Sequence, residues 1–223
     1  MAEVLRAGRV ISAKTHSAAV PCRRSYGSGE SLAEFFIAVT VHAAIVLLFR
    51  FVPFPLAVFR RGYDLSFIPS LPLKWLAVIV SAISAGVCEE TGFRGYMQRP
   101  IEQRHGPAVA ILISTVFFTL VHLSKAWSVA GMVPIVFGAG LLLGLLAWSS
   151  QSLIPAVIGH IVMDIGLFAY WWTGIAGEFT ARPVSETGID VPLVIACLTL
   201  VVSLLVTLFA ISRLRFWTFV ARV

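Results

Sequence analysis

A chain of 223 residues, 58% hydrophobic and only 13% charged, does not have the surface polarity of a water-soluble domain. Several of its apolar runs reach the ~20 residues that a helix needs to cross a bilayer, so the expected fold is all-α, a polytopic membrane bundle of about six transmembrane helices. The net charge of +6 does not point to nucleic acid, because the basic residues lie between apolar spans and not along one patch.

In chain order, residues 1–31 read as a polar, basic cytoplasmic leader without the apolar core of a secretory signal. A single transmembrane domain is expected over 32–212, followed by a short basic cytoplasmic tail at 213–223. The first span is predicted at about 32–52, ended by Pro53 and Pro55. A connector with Arg60, Arg61 and Asp64 leads to a second helix predicted from about 73 to 104, which Pro100 should kink or end. His105-Gly106-Pro107 is a stop-and-restart signal, with Gly just past one helix and Pro just inside the next. Further helices are predicted at about 108–124, 132–148, 155–172 and 191–211. In the fourth, Gly140 and Gly144 have the spacing that permits close helix contact, and lipid-facing filler is an equal reading.

With the N-terminus inside, eleven Lys and Arg residues face the cytoplasm and five face out, Arg50 within the first span being left uncounted. The bias predicts both termini inside, although Arg60-Arg61 dissents. Three widely spaced cysteines, Cys22, Cys88 and Cys197, form neither a disulfide framework nor a thiolate metal motif.

The polar residues inside the spans carry the functional argument. Leu76 to Cys88 holds no charge, and then Glu89, Glu90 and Arg94 follow. A charge at bilayer depth costs ~2.5–3.5 kcal/mol, so a group of three persists only if paired, wet or working. Glu90 and Arg94 are one helical turn apart and can neutralise each other, which leaves Glu89 as the unpaired carboxylate. His122, one turn after Phe118, ends the third span, and His160 and Asp164 share one face of the fifth. If the second and third helices form an antiparallel hairpin, the midpoint between Glu89 and His122 falls on the His105-Gly106 turn. Equal rise then puts the two at one depth, ~25 Å from the turn.

A carboxylate, two imidazoles and a second carboxylate in a semi-dry pocket suit hydrolysis. Glu89 can take a proton from a water that His122 orients, and His160, held by Asp164, can donate to a carbonyl oxyanion. The alternative chemistry uses Glu89, His122 and His160 as zinc ligands. With no HExxH and the histidines on separate helices, metal-free water activation is placed ahead, so the expected cofactor is none, with zinc as the alternative.

The E-E-x-x-x-R, F-x-x-x-H and H-x-x-x-[N/D] motifs, in this order on successive membrane helices, resemble the CAAX protease and bacteriocin-processing family of intramembrane endopeptidases. The resemblance covers a motif core at about 73–172. It implies that Glu89 activates water with His122, that His160 and Asp164 line the oxyanion site, and that Glu90, Arg94 and Phe118 support the site. It further implies a membrane-embedded or lipidated protein or peptide as substrate, as in CAAX-box processing, no nucleic-acid partner, and a bacterial cytoplasmic membrane as location. Asp164 departs from the Asn typical of prenyl-processing members, and a carboxylate donates a hydrogen bond only when protonated. The competing class is a non-catalytic membrane protein, an ion or proton pathway or an immunity factor. A pathway would spread ionisable groups across the bilayer, whereas these cluster at one level.

Overall fold

The structure is a computed structural model that describes residues 27–52, 64–126, 131–177 and 182–220. The leader up to residue 26, Arg60, Arg61 and Arg222 lie outside the described residues. Seven helices are described: α1 (Ser28–Phe51), α2 (Leu71–His105), α3 (Pro107–Ala126), α4 (Met132–Ser150), α5 (Ile154–Trp172), α6 (Val184–Thr187) and α7 (Val191–Val220). Among the described residues there is no strand. Five helices (α1, α2, α4, α5 and α7) are long and apolar enough to cross a membrane, and α3 contributes a shorter apolar stretch, Pro107–Leu123. The chain is an all-α integral membrane protein. Residues 213–220, expected as a tail, continue α7.

The hydrophobic core is built by four helices. Ala33, Ile37, Val41, Ile45 and Phe49 of α1 meet Leu142, Leu143 and Leu146 of α4, Met163, Leu167 and Trp171 of α5, and Ile211 and Leu214 of α7. Phe49 stacks on Trp171 with ring centroids 5.4 Å apart. The α2–α3 hairpin contributes no member of this cluster, and it is this hairpin that carries Glu89 and His122.

Two glycines shape the hairpin and its docking. Gly106 has φ +83°, which a side chain would strain, and its N–H donates to the Glu102 carbonyl at 3.0 Å, closing α2 where the stop signal predicts. Gly86 lies on the narrow buried stripe of α2's N-terminal part, with Val78, Ala82 and Glu90. A Cβ there would stand 2.6 Å from Ile161 and 3.2 Å from the Val157 carbonyl of α5. Only glycine lets the two backbones approach so closely, one turn from the acidic pair.

Pro100 does not end the helix, which runs on past it to His105. Thr91–Gln98 is a π-helical segment, and Pro100 falls in the first turn of the α-helical end piece Arg99–His105. Proline is tolerated at such a restart, where its missing N–H removes no established α bond. The Ser114 hydroxyl of α3 donates to the Phe93 carbonyl at 2.9 Å inside this segment, giving the π turn a tertiary partner.

Candidate active site

Glu89 is the second-last residue of the α-helical part of α2, and the π segment begins two residues after it. Single π turns inside α-helices recur at functional sites. The Glu89 Oε2 atom stands 3.5 Å from His122 Nε2 and 3.8 Å from His160 Nε2, so the equal depth expected from the hairpin register is met. The Glu89 side chain is 30% exposed and that of His122 21%, whereas those of Glu90, Arg94, His160 and Asp164 are buried. The site therefore has an accessible edge and a dry floor.

The tautomers follow from the acceptors. His122 Nδ1–H donates to the Phe118 carbonyl at 2.7 Å, which leaves the Nε2 lone pair turned to Glu89. His160 Nδ1–H donates to Glu90 Oε1 at 2.7 Å, and its Nε2 faces Glu89 and also Asp164 Oδ2, the latter at 3.5 Å. With Nδ1 committed to Glu90, His160 donates through Nε2 only as an imidazolium. The carboxylates of Glu89, Glu90 and Asp164 surround that ring, so such a charge has counter-charges within the site.

Sequence spacing paired Glu90 with Arg94, and the structure places Arg94 Nη1 3.0 Å from Glu90 Oε1. The same carboxylate oxygen also holds His160. The orienting partner at Nδ1 is thus Glu90, in place of the expected Asp164, which meets Nε2. The reason is the azimuth of α2 against α5: the Glu90 stripe faces α5, and one carboxylate accepts from several donors. Phe118 is buried at the centre of the cluster. Its ring lies 4.5 Å from that of His122, 6.0 Å from that of His160 and 5.3 Å from that of Phe93, and the Arg94 guanidinium lies 4.7 Å from its centroid.

All seven residues singled out in the sequence are gathered at this one place. Others were missed. The stripe of Glu90 and Arg94 continues at the same four-residue spacing to buried Gln98, a signal that could have been extended from the motif. Glu34 of α1 is buried beside Gly159, next to His160, and only the packing of α1 on α5 reveals it.

Residues 71–166 match the family model described as type II CAAX prenyl endopeptidase Rce1-like. Over these residues the chain is similar to the Rce1-like family. The match begins with α2 and ends two residues past Asp164, so every site residue lies inside it. The Rce1-like family is the one the motifs pointed to, and it is a family of proteases. No curated protein and no solved structure matches the chain.

Proposed function

We propose that this Rce1-like protein is an intramembrane endopeptidase that hydrolyses a peptide bond of a membrane-associated or lipidated protein, with Glu89 as general base. The observation that carries the reading is Glu89 Oε2 set between the Nε2 atoms of His122 and His160, at 3.5 and 3.8 Å, beneath a charge-free stretch of helix. At 3.5 Å the Glu89–His122 pair is too far apart for a direct hydrogen bond and well spaced for one water at about 2.8 Å from each. That water donates one O–H to Glu89 and the other to the His122 lone pair. Glu89 takes the proton, and the hydroxide attacks the scissile carbonyl carbon. The oxygen that gains the electron pair is met by His160 Nε2–H, with Glu90 fixing the ring and Asp164 balancing its charge. Collapse of the tetrahedral species breaks the C–N bond, and the proton on Glu89 passes to the leaving amine.

The proposal assigns water activation to the carboxylate, with zinc on Glu89, His122 and His160 as the alternative chemistry. The family description supplies the substrate class to try first, a prenylated CAAX-type C-terminus. The membrane is read as a bacterial cytoplasmic one with both termini inside. The test is purified protein in vesicles given a farnesylated CAAX peptide, with release of the C-terminal tripeptide followed by mass spectrometry. Release by wild type and none by Glu89→Gln is expected. Equal release by both would remove Glu89 from the mechanism.

A further inference from the structure

The hairpin carrying Glu89 and His122 contributes nothing to the main core cluster, so its height is set by its own contacts, the Gly86 packing against α5 and polar contacts to α4. The buried stripe of α2 continues from Glu90 and Arg94 to Gln98, which is 2% exposed. Arg94 Nη2 donates to the Gly140 carbonyl at 2.9 Å, and Gln98 Nε2 donates to the Gly144 carbonyl at 3.0 Å. Both bonds join α2 to α4 at the same sequence separation, 46 residues, so they form two rungs of one ladder. The glycine pair makes the ladder possible. A Cβ on Gly144 would lie 3.1 Å from Gln98 Oε1, and one on Gly140 would lie 3.1 Å from Phe118 and 3.2 Å from Thr115. Small residues let polar side chains reach across a membrane helix interface, where a hydrogen bond is worth most when both partners are shielded from water.

We infer that Gln98 is a positioning residue whose bond to Gly144 sets the axial register of α2 on α4, and through Arg94 and Glu90 holds His160 at its working height. A slide of α2 along α4 moves Glu90 relative to α5, and the 2.7 Å Glu90–His160 bond is the first contact to change. As a statement about catalysis this rests on the peptidase reading; as a statement about register it does not.

The test compares wild type with Gln98→Met, which keeps the side chain's length and removes the donor, and with Gly144→Ala, which leaves Gln98 intact and crowds it. Two quantities are read: the kcat and KM of peptide cleavage, and the imidazole 15N resonances of His160, assigned by their loss in His160→Gln. A misplacement near 1 Å can reduce turnover up to ~10²-fold, so kcat should fall by about tenfold or more with KM changed less than about twofold. The Nδ1 resonance that reports the Glu90 bond should move. The double variant should be little worse than the worse single one, because both break the same rung. If Gln98→Met does not accumulate, Gly144→Ala supplies the same readouts. An unmoved Nδ1 resonance overturns the inference whatever happens to kcat, and so does a loss carried wholly by KM. A resonance that moves in protein that cleaves no peptide upholds the register and sinks the peptidase reading instead.

Discussion

Glu89 and Glu90 are adjacent, yet one side chain is 30% exposed and the other wholly buried. A buried carboxylate that accepts from His160 and is ion-paired with Arg94 is committed, whereas the partly exposed Glu89 can exchange protons with a substrate water. Glu89→Gln keeps shape and hydrogen bonding but cannot take the proton, so turnover should fall by ~10²–10⁴-fold while the protein still folds. His122→Ala should be comparably damaging, and the pair of changes little worse than either, since residues acting on one water are not additive. Asp164→Asn should be mild, and chelators should leave the wild type active. Stoichiometric zinc, with activity lost on its removal and restored on its return, would replace the metal-free mechanism. Removing Arg94 is a different experiment. Arg94→Ala strands the Glu90 carboxylate in a dry site and deletes the upper rung to Gly140. Breaking a buried pair costs ~3–5 kcal/mol by precedent, so yield or melting temperature should drop. A normally stable and fully active Arg94→Ala protein would refute the supporting role.

Among the elements, the junction of α1 with α7 has an ion pair far from the chemistry. Arg50, buried at the end of α1, donates to Asp190 Oδ1 at 2.7 Å and to the Thr187 hydroxyl at 2.9 Å. Asp190 also caps α7, its Oδ1 accepting from the Leu193 N–H at 2.9 Å. The bond from Arg50, and then that from Leu193, hold the Asp190 carboxyl below its ordinary 3.8. A carboxyl lowered in the folded state binds more protons when unfolded. Its stabilisation is therefore present above pH 3.8 and is lost as pH falls through the still lower folded value. Asp190→Asn retains a capping side chain and loses the charge, so it should melt earlier than wild type at neutral pH. Melting curves across an acid titration should converge below pH 3.8; a gap that persists in acid would mean that capping geometry, not charge, carries the effect.

For the whole molecule, the arrangement is a four-helix apolar cluster with the α2–α3 hairpin docked beside it through both close apolar packing and hydrogen bonds. The basic residues predict both termini in the cytoplasm, eleven inside against five outside. Reporter fusions after Arg104 and after Arg182 should then lie on opposite sides of the membrane. The same side for both would mean a wrong span count or a wrong orientation for the assignment that places the α2–α3 tip inside.

What the sequence by itself determined was local or linear in character. Span positions follow from apolar run length and from Pro and Gly punctuation, so α2 to α5 begin within about two residues of expectation. The shared depth of Glu89 and His122 follows from equal rise on the two arms of a hairpin whose turn the sequence marks. The angular relations were decided only by the tertiary structure. Which carboxylate meets His160 depends on how α2 is rotated against α5, and no spacing within either helix contains that angle. The π segment was illegible for a similar reason. Its local sequence is compatible with an α-helix, and its register is tied to partners distant in the chain, the Ser114 hydroxyl on Phe93 and the Gly140 and Gly144 carbonyls on Arg94 and Gln98.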